Sequence, residues 1–364
     1  MKELSIHQLR MTLLVSIIGA GGFAFSRGLG EYVGKNGWIV TVICGVISLI
    51  SMYLILYISK VNKYSGIGEI VENSLGKVIG RIVLIEFVIF IIINGSLQVR
   101  DYAEVIKLYL LNRTPIQLIL LVLILLSTYL IIGRIEALIK FNEITVWIML
   151  VPALIILLFV IGRGKITNVL PFFDVEKTKF LQGIKVGITS FTSFEILYFL
   201  LPRLREEERK KLKYSVAGVV AIAVAFYILL YTAIIYYFGS EESQHLLWPF
   251  IGLVKSIDIP GTFVERWDGL ILMIYMIFNF AAFVNIYYGA AYITKKIFNF
   301  KRMVNSFSIV SVLFYIGSML PKNILENNAL QDNFLSYLFL INNIAIPIIL
   351  IIGFKIRSGR YEKA

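Results

Sequence analysis

The chain has 364 residues, of which 58% are hydrophobic, with a mean hydropathy of +0.82 and a formal net charge of +12. Soluble globular chains carry about 45–50% apolar residues, and here the apolar residues fall in blocks near the length of a bilayer span. That excludes an ordinary soluble domain and defines an integral membrane protein. In a soluble chain the positive charge would suggest nucleic acid. Here the basic residues gather in particular loops, and no nucleic-acid partner is expected. Cys44 is the single cysteine, and His7 and His245 lie far apart, so neither a disulfide nor a metal site is expected. No GxxxxGK[ST] loop and no nucleophile–base set is present, so the chain is read as no enzyme and as carrying no cofactor. No cleaved signal peptide is expected at "MKELSIHQLR".

Ten apolar stretches are legible, at about 7–27, 37–59, 80–110, 115–133, 141–162, 182–202, 214–239, 266–297, 303–320 and 333–356. The first contains "SIIGAGGFAFSRGLG", dense in glycine, although each helical glycine costs roughly 0.5–1 kcal/mol relative to alanine. Between the second and third stretches, "YSGIGEIVENSLGK" spaces Ile67, Ile70, Val71 and Leu75 as a short amphipathic helix on the membrane surface. The loop 240–265, rich in Trp, Pro and Ile, is expected to contain a further helix on the membrane face. No linker interrupts the chain. It is read as one transmembrane domain, 1–364, with one repeat at about 7–162 and a second at about 182–356.

About 22 of the 35 Lys and Arg residues fall in one alternate set of loops, including "RLREEERKKLK" and "KKIFNFKR". The bias predicts both termini in the cytoplasm and an even number of spans.

The sixth stretch, "GIKVGITSFTSFEILYFLLP", combines Gly183 and Gly187 with Thr189, Ser190, Thr192, Ser193 and Glu195. A hydroxyl run is costly in lipid and useful where backbone groups need partners. Irregular backbone at membrane depth is tolerated only where it is buried in protein or lines a cavity. Interruptions in the first and sixth spans, five spans apart, suit a pair of five-span inverted repeats whose half-helix ends receive a ligand near the midplane. Free N–H groups there attract a carboxylate and free C=O groups a cation, so a small zwitterion fits. The other reading is that the glycines serve close helix packing.

At these residues the chain resembles the B subunit of the GerA-type spore germinant receptors, an endospore germination permease group within the amino acid–polyamine–organocation superfamily. "ELSIHQLRMTLLVSIIGAGGF", "GIGEIVENSLGKVIGR", "TSFTSFEILYFLLPRL" and "FVERWDGLILMIYMIF" carry the resemblance, which covers nearly the whole chain. Ser26 and Arg27 stand near the place where many relatives have proline. The resemblance implies an all-α leucine-transporter-type fold of ten helices with broken first and sixth helices, in the spore inner membrane. It implies assembly with A and C subunits and sensing of a small nutrient, usually an amino acid.

The candidate ligand cradle is the backbone around Gly19, Ala20, Gly21 and Gly22 with Thr189, Ser190, Thr192 and Ser193. Glu195 is the sharpest side-chain candidate, since an acid inside a span is expensive and often functional. It either meets a ligand ammonium, takes up a proton or holds a gate, or it forms a structural pair. Glu86 is a second acid of this kind. Asn94, Gln98 and Asp101 share one helix face, either toward ligand or in polar packing, with Asp101 and Glu104 as partners for Arg100 and Lys107. Tyr275, Asn279, Asn285 and Tyr287 in the eighth span are either cavity or core residues. Asn342 and Asn343 before Pro347 mark a local irregularity without an assigned role. Three functions remain open: nutrient-receptor subunit, amino acid permease coupled to protons or sodium, and structural scaffold.

Overall fold

A computed structural model describes residues 3–21, 25–132, 135–170, 176–256 and 267–361. In chain order the α-helices are α1 (Ile6–Gly21), α2 (Phe25–Val33), α3 (Gly37–Val61), α4 (Ile67–Leu75), α5 (Lys77–Tyr109), α6 (Ile116–Ile132), α7 (Ile135–Val160) and α8 (Lys177–Gly187). They continue as α9 (Leu197–Leu200), α10 (Leu212–His245), α11 (Pro249–Ser256), α12 (Trp267–Ile297), α13 (Met303–Met319), α14 (Ile324–Leu330), α15 (Ser336–Leu340) and α16 (Ile346–Tyr361).

Among the described residues, six helices are long and apolar enough to cross a membrane, or seven if the bent pair built on α8 and α9 is one span. Three shorter apolar helices, Ile6–Gly19, Ile116–Ile132 and Met303–Met319, fall at the remaining expected stretches. The molecule is thus a multi-pass integral membrane protein.

The centre is α1. It packs against α7, α10, α12 and the 3-10 turn Ile188–Phe191. Leu9, Leu13, Val15 and Ile17 are fully buried, and so are Thr12 and Ser16. A helix enclosed all round needs no apolar stripe. Its polar groups need partners instead. Ser16 Oγ accepts from Asn285 Nδ2 on α12 at 2.9 Å, and Asn285 Oδ1 accepts from Asn142 Nδ2 on α7 at 2.8 Å. These bonds pin three helices in register. The peripheral helices behave oppositely: Leu125 on α6 and Ile144 on α7 are more than half exposed, as lipid-facing residues should be.

The expected surface helix is α4. Its stripe Ile67, Ile70 and Val71 is buried, packed with α5 and α16. Gly239 ends the regular part of α10 at φ +80°, and the chain resumes helix to His245. The helix expected in the loop 240–265 is α11, whose Phe250, Ile251, Leu253 and Val254 are buried and which packs on α2, α10 and α12. Residues 257–266 lie outside the described part, and so does the start of the "FVERWD" motif. The N-terminal segment is latched to the chain beyond α9. Leu4 N–H donates to Arg203 O at 2.7 Å, Arg205 N–H donates to Leu4 O at 3.1 Å, and Ile6 N–H donates to Glu208 Oε2 at 2.7 Å.

Candidate ligand site at the interrupted helices

The sixth span breaks inside the hydroxyl run. The α8 helix and its 3-10 extension end at Phe191, Thr192 is extended, and Ser193 takes φ +70°, ψ +7°. The chain then restarts as the 3-10 turn Phe194–Ile196 and α9, bent by 43° from the first half. A left-handed serine is uncommon. It persists where the surroundings hold it. The neighbouring hydroxyls serve carbonyls of their own segment: Thr189 Oγ1 donates to Val186 O at 2.7 Å and Thr192 Oγ1 to Thr189 O at 3.0 Å. This is the side-chain competition with the helix ladder that Ser and Thr are suited to.

In the first span, α1 ends at Gly21 and α2 begins at Phe25. Gly22 lies outside the described residues, as does the side chain of Ala20. Side chains from two other helices reach carbonyls near the end of α1. Gln98 Nε2 on α5 donates to Gly19 O at 3.0 Å. The Tyr227 hydroxyl on α10 lies 2.9 Å from Ile18 O, 3.0 Å from Ile17 O and 3.2 Å from Ser190 O. A single phenol therefore touches α1 and the interrupted sixth helix.

The two glycines have defined neighbours. A Cβ on Gly21 would stand 2.4 Å from Ser190 Cβ and 2.5 Å from the Tyr227 oxygen. A Cβ on Gly19 would stand 2.3 Å from Ala282 Cβ on α12. Both glycines permit close packing in this conformation, and at Gly21 the packing partner is the other interrupted helix. Of the two readings of the glycine cluster, close packing is the one seen at Gly21, and what it packs against is Ser190.

Gly19, Gly21, Ser190 and Gln98 are therefore brought together. Thr189, Thr192 and Ser193 line the break itself, the last two buried. Asn279 is buried on α12, with its amide donating to Tyr275 O of its own helix at 3.0 Å. Asn94 is buried on α5. Asp101 does not take Arg100 or Lys107 as its hydrogen-bond partner. Its Oδ1 accepts from Trp248 Nε1 at 3.3 Å. Arg100 pairs with Glu104 at 2.9 Å and also donates to Ser318 O at the end of α13.

Asn342 and Asn343 supply partners for the two acids, and the Glu195 carboxylate also accepts from the Ser193 backbone beside the break. Asn343 Nδ2 donates to Glu195 Oε1 at 2.8 Å, and Asn342 Nδ2 donates to Glu86 Oε1 at 2.9 Å. Both asparagines lie in a π-helical turn, Ile341–Ala345. Such turns widen a helix and redirect its side chains. Two neighbouring residues of the last span thereby hold a carboxylate on α5 and one on the broken sixth helix.

The architecture is that of a membrane transporter fold with an interrupted sixth helix. A solved sodium-coupled sialic acid symporter, in a substrate-bound outward-open state, shares it: TM-score 0.66 at 12% identity, covering 96% of this chain and 79% of that one. The likeness is one of fold. The profile of the spore germination protein family matches residues 3–327, and the chain belongs to that family. Among its relatives are spore germination protein A2 of Bacillus subtilis, 28% identical over 92% of this chain and 91% of the relative. Spore germination protein YndE of the same organism is 26% identical over 99% and 98%, and GerLB of Bacillus cereus is 24% identical over 99% and 97%.

Proposed function

We propose that the chain is the membrane-embedded sensing subunit of a germinant receptor in the spore inner membrane. It binds a small nutrient, an amino acid, between the interrupted first and sixth helices. Ten crossings, in repeats at about 7–162 and 182–356, place both termini in the cytoplasm, in keeping with the basic loops. A and C subunits receive the signal. The observation that carries this reading is the contact of Gly21 with Ser190 under the Tyr227 hydroxyl. There the end of α1 meets the Ser190 side chain of the broken sixth helix, closed by one tyrosine hydroxyl. A zwitterion that parts them gains the N–H and C=O groups that regular helices would hide. Binding then shifts the balance between closed and parted states by its differential affinity for them. Glu195 and Glu86, held from the last span, are the groups through which charge or proton uptake reaches the same hinge.

The alternative reading is an amino acid permease coupled to protons or sodium, favoured by the fold shared with a symporter over 96% of the chain. Radiolabelled amino-acid accumulation in proteoliposomes, counted before and after permeabilisation, separates the two. Counts near the molar amount of protein that survive permeabilisation are expected of a sensor. Counts far above it that vanish on permeabilisation would overturn the receptor reading in favour of transport.

A further inference from the structure

A second site lies away from the interrupted helices. A cavity of about 1030 Å³ opens where the start of α1, the end of α6, the start of α7, the segment after α9, α12 and α13 meet. Ligand cavities typically run to about 300–1,000 Å³. Its chemistry is divided. Lys140, Arg203 and Arg205 contribute positive charge, and Glu3 and Glu136 contribute negative charge. Among the described residues none of these five forms an ion pair. Arg203 instead donates to the Tyr288 hydroxyl at 3.3 Å, and Glu136 also lies close enough to act electrostatically on that hydroxyl. Opposite charges that share one cavity and stay apart leave room for a ligand carrying both.

The rest of the lining is apolar. Ile131, Ile135 and Ile139 form a wall along α6 and α7. The wall continues outward into lipid-facing surface: Ile132, also in the lining, is 47% exposed and Tyr129 on the same helix is 80% exposed. The cavity therefore has a charged inner end and an apolar lateral side. Arg203 and Arg205 belong to the basic stretch "RLREEERKKLK", on the side where inter-helix basic pockets hold lipid head groups.

We propose that this cavity binds one phospholipid whose head group carries both a phosphate and a primary ammonium. The phosphate lies against Lys140, Arg203 and Arg205, the ammonium against Glu136 and the Tyr288 hydroxyl, and the first acyl carbons against the isoleucine wall. The charges recognise the zwitterion, and the wall selects a lipid over a free amino acid or phosphoethanolamine of the same charge pattern. Choline lipids lack N–H donors and fail at the acidic end. Phosphatidylglycerol lacks the cation.

The test is native mass spectrometry of the full chain taken from nanodiscs of mixed phosphatidylcholine, phosphatidylethanolamine and phosphatidylglycerol. Wild type is expected to retain one phosphatidylethanolamine, preferred over phosphatidylcholine by about tenfold or more. Glu136→Gln is expected to erase the preference over phosphatidylglycerol, and Lys140→Glu with Arg205→Glu to lose both lipids. Soluble phosphoethanolamine is expected to compete poorly. Equal retention of the ethanolamine and choline lipids by wild type would overturn the proposal, and that comparison depends on no variant. Competition by phosphoethanolamine at the lipid's own concentration would also overturn it, since a free zwitterion would then suffice. Cross-links from Lys140 to a co-purified partner chain, with no lipid retained, would assign the cavity to a protein and overturn it too.

Discussion

Removing one oxygen atom from α10 should change how readily the two interrupted helices part. Tyr227→Phe keeps the ring, which packs 4.5 Å from Phe25 and 5.1 Å from Phe191, centroid to centroid. It deletes the hydroxyl within 3.2 Å of Ile17 O, Ile18 O and Ser190 O. A hydroxyl has one proton, so the loss amounts to about one hydrogen bond, not three. A net bond is worth roughly 0.5–1.5 kcal/mol, and bonds between membrane helices average about 0.6 kcal/mol. A loss near 1 kcal/mol corresponds to about a fivefold change in an equilibrium constant. The tie exists in the closed arrangement, where Gly21 touches Ser190. Its removal favours the parted state, and a ligand that binds the parted state then binds more tightly. The expected result is a half-saturating nutrient concentration lowered about fivefold, measured by equilibrium binding to the purified chain and by germination dose response. Half-saturation unchanged within about twofold, or raised, would refute the argument that this hydroxyl holds the site closed.

Gly21→Leu places a side chain where Ser190 Cβ would lie 2.4 Å away. Nutrient response should vanish while membrane insertion, read by fractionation, persists. Asn343→Ala removes the 2.8 Å donor to Glu195 and should lower thermal stability by about 1–3 kcal/mol. Glu195→Gln retains an acceptor for Asn343 and should leave thermal stability nearly unchanged while altering nutrient affinity or its pH dependence. An unaltered ligand and pH response would reduce Glu195 to packing. Arg100→Met serves as a contrast, since it breaks the pairing with Glu104 and the bond to Ser318 O on the face of α5 turned away from Gln98. It should cost about 3 kcal/mol of stability and leave nutrient half-saturation where it was.

Six or seven of the expected spans are borne out among the described residues, because bilayer thickness imposes a length and apolar blocks reveal it. The break at Thr192–Ser193 was legible because a hydroxyl run in lipid needs a backbone reason. The pairing inside the bundle was not. Tyr227 is one of 20 tyrosines, and nothing in "AVAFYILLYTA" separates it from Tyr231. Its role depends on which face of α10 meets α1, which is a property of packing. Asn342 and Asn343 drew notice before Pro347, yet their separate carboxylate partners follow from a π turn whose register a single sequence does not display. Gln98 was picked out for its shared face with Asn94 and Asp101, and the bond it makes is to the Gly19 carbonyl. Asp101 was matched by charge to Arg100 and Lys107, whereas its hydrogen-bond donor is Trp248, from a segment far along the chain. Charge pairing by helical spacing captured the Arg100–Glu104 neighbour and missed the distant indole.

The most direct test of a ligand site between the interrupted helices is to tie them together. Gly21→Cys with Ser190→Cys, in a Cys44→Ala background, places two thiols across the contact. A Cβ on Gly21 would lie 2.4 Å from Ser190 Cβ, and disulfides need Cβ atoms about 3.5–4.5 Å apart, so a small parting of the helices admits the bond. Equilibrium binding of radiolabelled amino acid is then measured on the oxidised protein and again after reduction. The expected result is no binding when oxidised and recovery when reduced. Equal binding in both states would contradict the claim that the nutrient enters between these two helices.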